Sequence, residues 1–365
     1  MKTAKLGEVA ECLDRLRVPV TEADRTPGDV PYYGANGQQG WIDQAIFNEP
    51  LVIVAEDGGH FSDPSRGVAY RIDGPAWVNN HGHVLRAMAQ VDTDFLFRVL
   101  QNYNFQPYIS GSTRSKLTQK QLLSAEVPLP PLTEQRRIAA ILDHADALRT
   151  KRRMVLAHLD ALTTSIFDSL FSGDLPTAPL GELAETRLGK MLDAKKQTGD
   201  HRRPYLRNAN VQWFRFDLED LLEMDFTQKD RATFALLPGD VLVCEGGQPG
   251  RSAIWRGELD ECYFQKALHR VRLGDDLEPE YFAHAMKKIV DSNGLKDFVT
   301  SSTIAHLTGE KLRTLPIPVP DLSGQREFAA RVEQVRRQTE AVTRALATAA
   351  DLFGSIRARA FRGEL

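Results

Sequence analysis

The stretch Ser110–Ala140 of this 365-residue chain recurs without a gap as Thr300–Ala330. Twelve of the 31 aligned positions are identical, among them Leu117/Leu307, Thr118/Thr308, Pro128/Pro318, Gln135/Gln325, Arg136/Arg326 and Ala140/Ala330. The same spacing of 190 holds at the far end, where Phe171, Gly173 and Leu175 meet Phe361, Gly363 and Leu365. A second match, Leu6–Glu11 with Leu180–Glu185, has a spacing of 174, so the second copy holds 16 extra residues before position 300. Internal repetition dictates architecture before any motif does. The chain is one plan written twice: a variable globular part, a Pro-rich joint, then a segment of constant length.

That constant segment reads as a long helix. Pro128-Leu-Pro-Pro131 cannot continue a helix or pair centrally in a sheet. Thr133 is expected to cap the helix that follows, with Glu134 facing the positive end of its dipole. Ile138, Leu142, Ala145, Leu148, Val155, Leu159, Leu162, Ile166 and Leu170 then recur at steps of mostly 3, 4 or 7. Gly173 and Pro176 end the run. The span 133–171 is roughly 58 Å of helix at 1.5 Å per residue. The second copy repeats the seam with Phe328, Val332, Val335, Val342, Ala345, Ala349, Leu352 and Ile356. One amphipathic helix of this length cannot bury its own stripe. Two of equal length in one chain pack most simply on each other, antiparallel, in preference to forming a generic dimerisation arm.

The globular parts read as mixed α/β. Short β-branched runs bounded by Gly, Pro and Asn predict strands at 51–55, 67–72, 84–88, 241–244, 252–255 and 269–273. Helices are expected at 94–103, 118–124, 279–292 and 308–313, with Thr118 and Thr308 as matched N-caps. The fold class is α/β (α+β): two globular domains and two long helices. The domains run 1–127 and 176–317; the helical regions run 128–175 and 318–365.

Catalytic signatures do not emerge. No Asn/Asp-Pro-Pro-aromatic loop is present to hold a flipped base. Gly58-Gly59 and Gly246-Gly247-Gln-Pro-Gly250 lack the spacing of a nucleotide loop and read as tight turns. Asp240 and Glu245 bracket a strand, but no lysine follows to complete a nuclease motif. His81-Gly-His83 lacks a third ligand at useful spacing and reads as a polar strand entrance rather than a metal site. Cys12, Cys244 and Cys262 are odd in number and far apart, which excludes a disulfide scaffold and points to a reduced, cytoplasmic protein. The start has no apolar signal core, and no run of 18 apolar residues is present to span a membrane. The two large parts are each net acidic, −3 over residues 1–132 and −4 over 172–323, so neither is a strongly basic, free-standing nucleic-acid binder.

The joints Pro128–Ile138 and Pro318–Phe328, together with Leu-Gly-Glu-Val/Leu-Ala-Glu at both starts, closely resemble type I restriction–modification specificity subunits. Tyr33-Gly-Ala-Asn-Gly37 with Trp41-Ile-Asp43 resembles a pattern of their target recognition domains. The second joint departs at Asp321, Gly324 and Glu327. The resemblance implies that each globular domain reads one half of a split, asymmetric site in double-stranded DNA, with the paired helices as spacer. Two modification subunits would dock around the helices, bringing S-adenosylmethionine and adenine-N6 methylation. Restriction subunits with ATP and Mg can join. The chain itself would carry no catalysis, metal or cofactor. The alternative is the same build serving a stand-alone methyltransferase or another phage-defence complex; an enzyme with an unrecognised site is the third reading.

Base edges are read by Arg, Lys, Asn and Gln on loops and element ends. The candidates are Asn36, Gln38, Gln39, Arg114 and Lys116 in the first copy. In the second they are Arg207, Asn208, Asn210, Gln248, Arg251 and Lys266. Ser112/Ser302 and Thr113/Thr303 are candidates for phosphate contact or turn capping. Gln135, Arg136, Gln325 and Arg326, at the helix starts, are assigned to joint structure or to contact with a modification subunit before DNA.

Overall fold

A computed structural model describes residues 2–63, 66–109, 115–193, 197–299, 305–362 and 364. The chain forms two compact units, residues 1–154 with 343–365 and residues 155–342. The packing thus groups the chain differently from its order in sequence. Each unit takes one globular domain, the start of the long helix that follows it, and the end of the other long helix.

In the first unit, a four-stranded antiparallel sheet runs in the order Ala10–Cys12, Gly82–Ala87, Leu51–Ala55, Ala69–Ile72. Leu51–Ala55 is apolar at every position because both of its faces are covered, and all five residues are buried. A second sheet runs Gly37–Ile42, Val30–Gly34, Pro75–Val78, Phe47–Asn48. The helix Thr93–Leu100 closes one face of the core through Phe95, Leu96 and Val99. The second unit repeats the first sheet strand for strand, as Ala184–Leu188, Leu268–Leu273, Val241–Cys244, Ser252–Ile254. Its counterpart helix is Pro279–Asp291.

The strands expected at 51–55 and 241–244 are found with those bounds, and the others shift by one or two residues at one end or, for 84–88, at both. Thr118 caps Gln119–Ser124 and Thr308 caps Gly309–Thr314 through their side chains, as expected. The Thr133 cap is not found. The first long helix is Leu132–Leu170, so Thr133 lies inside it and Pro131, whose fixed φ suits a helix entrance, precedes it. The second is Leu322–Arg362. The joints also form unexpected two-stranded ribbons: Glu126–Pro128 pairs with Thr3–Lys5, and Pro316–Pro318 with Thr177–Pro179. Proline is tolerated there because each ribbon has only edges.

The long helices are antiparallel within each unit. In the first, Ile138, Leu142, Phe353 and Ala360 share the domain core, and Arg152 donates to the Ala345 carbonyl at 2.8 Å. In the second, Phe167 packs on Phe328 and Val332. The seam is not covered throughout, however. Leu148, Val155, Leu162 and Leu352, expected in it, are exposed, as is Met154. Burial concentrates where a globular domain adds a third wall.

Candidate nucleic-acid interface

In each unit the loops at one end of the four-stranded sheet are tied together by the same bond. In the first, Asn36 Nδ2 donates to the Gly58 carbonyl at 3.0 Å; in the second, Asn208 Nδ2 donates to the Gly246 carbonyl at 3.0 Å. A second duplicated set lies beside it. The Leu117 N–H donates to the Glu56 carbonyl and the Leu307 N–H to the Glu245 carbonyl, at 2.8 and 2.7 Å. His83 Nε2 meets the Leu117 carbonyl at 2.7 Å and His269 Nε2 the Leu307 carbonyl at 3.0 Å. The two glycine turns are therefore loop anchors, and the open side of each is where a partner molecule can reach exposed side chains.

The first rim is charge-paired. Lys116 Nζ lies 2.9 Å from Glu56 Oε1, and Arg17 lies 2.7 Å from Glu56 Oε2. Burial pushes the Glu56 carboxyl up, but Arg17, Lys116 and His83 outweigh it and hold it below the usual range. Gln38 Nε2 donates to the Gly40 carbonyl at 3.2 Å, and Gln39 Oε1 accepts from Asn79 at 3.2 Å. Arg114, Ser112, Thr113, Ser302 and Thr303 lie outside the described residues.

In the second unit, Arg251 Nη2 donates to the Asn208 carbonyl at 2.8 Å and Nη1 to Gln248 Oε1 at 3.0 Å. This brings Asn208, Gln248 and Arg251 together around the Gly246–Gly250 turn. Arg207 is held by Asp220 at 2.7 Å, and Lys266 is exposed at the turn before Leu268–Leu273. Asn210 does not belong with them. It is only 2% exposed, and its side chain closes the loop through Arg207 N and the Asp217 and Asp220 carbonyls. A buried, fully bonded amide has nothing left to offer a base. Sequence reasoning also missed His306, whose ring sits against Gly246. It is the counterpart of Lys116 at the spacing of 190, so the repeat itself could have found it.

The joint residues divide. Gln135 and Gln325 are wholly buried and hold the joint, which removes them from any surface contact. Arg136 and Arg326 are exposed, at 71% and 67%, and pair with Asp92 and Glu278.

Among the described residues, one group has metal-like geometry: Cys12, Asp14 and His83. Its bonding argues against an ion. Both His83 nitrogens are engaged, by Asp14 Oδ2 at 2.5 Å and by the Leu117 carbonyl. Burial, with Asp14 beside it, pushes the Cys12 thiol up to about 12, which keeps it protonated in this environment. His81 pairs with Asp57 at 2.7 Å.

Comparison with known proteins agrees with this duplicated geometry. The model of the type I restriction modification DNA specificity domain matches residues 1–156 and again 174–348. A putative type I restriction enzyme specificity subunit of Haemophilus influenzae is 26% identical over 367 residues, covering 93% of this chain and 89% of that protein. The EcoKI specificity subunit of Escherichia coli is 24% identical over 266 residues, 66% of this chain and 57% of that one. In fold, the chain resembles the type I restriction–modification S subunit of M. genitalium, with a TM-score of 0.65 and 14% identity over 99% of this chain and 96% of that one. It also resembles a chain from a type I system studied for complex assembly and conformational transition, with a TM-score of 0.58 and 20% identity over 100% and 98%. With two specificity domains covering most of its length, the chain belongs to the type I restriction–modification DNA specificity family and is a specificity subunit, the DNA-recognising and non-catalytic member of its complex.

Proposed function

We propose that each unit reads one half of a bipartite, asymmetric site in double-stranded DNA, using the loop rim at the end of its four-stranded sheet. The carrying observation is the duplicated anchor, Asn36 on Gly58 and Asn208 on Gly246. It fixes the same two loops relative to the sheet in both units, while the exposed residues around it differ. Gln38 and Gln39 stand on one rim; Gln248 and the half-buried Arg251 stand on the other, with the exposed Lys266 beside them for the DNA phosphates. Different side chains on the same frame support different half-sites.

The complex would contain two modification subunits, which bind S-adenosylmethionine and methylate adenine N6. Restriction subunits using ATP and Mg would join where the system cleaves. This chain would need no cofactor of its own. Exposed apolar residues on the long helices, Leu148, Met154 and Leu352 in the first unit and Val155 and Leu162 in the second, support docking of the modification subunits there. The exposed Arg136 and Arg326 extend that surface. No helix among the described residues is long and apolar enough to cross a membrane; a cytoplasmic location, with access to the chromosome, belongs to this reading.

Methylation mapping of the host genome with and without the gene tests it. A split adenine-methylated motif should vanish on deletion. Its persistence, or loss of a continuous motif, would count against a bipartite reader.

A further inference from the structure

The two units differ at one buried position in a way that DNA reading does not use. Glu278 matches Asp92, since each receives the buried Gln of its joint, so His284 occupies the place of Arg98. Arg98 is buried and paired with Asp143 and Asp146. His284 has no such charge partners among the described residues. It lies 9% exposed, flat against Phe214 at 4.1 Å between ring centres and edge-on to Phe328 at 4.9 Å.

Phe214 comes from the hairpin Val211–Gln212/Arg215–Phe216. The anchor bonds locate this hairpin within the surplus. From Asn36 to Asn208 the spacing is 172 and from Gly58 to Gly246 it is 188, so the 16 extra residues fall between 208 and 246. Phe214 is held at φ +63°, a left-handed conformation rarely adopted by a bulky side chain. Such strain persists only where surroundings over-determine it, and it clusters at ligand sites.

Together these features line a cavity of about 850 Å³ inside the second unit, walled also by Trp213, Phe167 and both long helices. Drug-sized ligands occupy volumes of this order. The His284 Nδ1 faces the Glu280 carbonyl at 2.9 Å, and a carbonyl only accepts, so the proton sits on Nδ1. Burial lowers the ring's pKa to about 4, so near neutrality Nε2 keeps its lone pair. No described residue donates to Nε2. Of the cations around the cavity, Arg256, Lys287, Lys288 and Arg336 are paired with Glu280, Asp291, Asp168 and Glu340, and the exposed Arg215 has no ion pair among the described residues.

We propose that this cavity binds a small, uncharged, planar aromatic molecule bearing an N–H or O–H donor, its ring held among Phe214, Trp213 and Phe167 and its donor on His284 Nε2. The lining charges nearly balance, five cations against six carboxylates, so the site holds no strong net charge to select an ion, and the unfilled acceptor selects a donor over a plain hydrocarbon.

Titration of the full chain with indole and with N-methylindole, followed by ligand-observed NMR, tests this. Indole should bind saturably, and N-methylindole, with the same ring and no donor, at least tenfold more weakly. His284→Phe should keep the stack and abolish the difference; Trp213→Ala, on the hairpin, should weaken both ligands together. Equal binding of the two to the wild-type chain, or no saturable indole binding, would overturn the proposal without reliance on any variant.

Discussion

The side-chain oxygen of Gln135 accepts the backbone N–H of Asp92 at 2.8 Å, and its amide donates to the carbonyls of Pro130, at 2.8 Å, and Gln90, at 3.1 Å. Gln325 repeats all three bonds, to Glu278, Pro320 and Asp276. One buried amide thus ties the entrance of a long helix to the start of a globular-domain helix. Replacing it with leucine would leave a buried N–H and two carbonyls unpaired at each joint. Gln135→Leu and Gln325→Leu should each cost about 2–4 kcal/mol, read as a fall in the urea midpoint. A variant within about 0.5 kcal/mol of wild type would show that the bonds are not made.

The glycine turns give a graded pair. Gly250 has φ +87°, and a Cβ there would sit 2.7 Å from Leu295 and 2.8 Å from Val290. Gly58 has φ +66° with open space around it. Gly250→Ala carries both strain and a clash and should cost about 2–4 kcal/mol. Gly58→Ala carries strain alone, about 1 kcal/mol. Thermal melting ranks the two; a reversed order contradicts the packing described around Gly250.

Much of this frame was legible in the sequence because it is local. The runs Leu51–Ala55 and Val241–Cys244 announce buried strands, and Thr118 and Thr308 announce caps. The strand Val30–Gly34 was not legible: it carries proline and glycine, and only its pairing, across a short hairpin with Gly37–Ile42 and in parallel with the distant Pro75–Val78, makes it a strand. At the rim, Asn208 and Asn210 look alike as letters. The short 3-10 turn Asn208–Asn210 turns the second inward. Nor could periodicity show that Leu148 and Leu162 stay uncovered, since the third wall that buries Ile138 and Phe328 comes from distant parts of the chain.

Lys266 is exposed beside the second rim and Asn210 is not, which separates their effects. Lys266→Ala should weaken DNA binding by the assembled complex evenly across sequences and reduce the salt slope by about 0.9. Asn210→Ala should instead lower the melting temperature of the chain. Filter binding over a salt series, beside calorimetry, distinguishes them; an unchanged salt slope for Lys266→Ala would remove it from the phosphate surface.

Acid should act on the second unit through His284. Its folded pKa lies near 4, below the ordinary 6.5, so the folded state resists the proton that the unfolded chain takes up. The contribution is whole above about pH 6.5 and is lost as pH falls toward 4, at up to about 1.4 kcal/mol per pH unit. The stability difference between wild type and His284→Phe should therefore shift by about 2–3 kcal/mol between pH 7 and pH 4. A difference that stays constant over that range would mean the imidazole is not buried neutral.

The independence of the two reading units is tested most directly by exchanging one. Residues 1–127 would be replaced by the matching domain of another specificity subunit, with the receiving face of Gln135, Ile138 and Leu142 kept intact. Adenine methylation would then be mapped across the genome of cells that also carry the modification subunit. The account predicts that one half of the methylated motif changes and the other stays base for base. A change in both halves, or in neither, would contradict it.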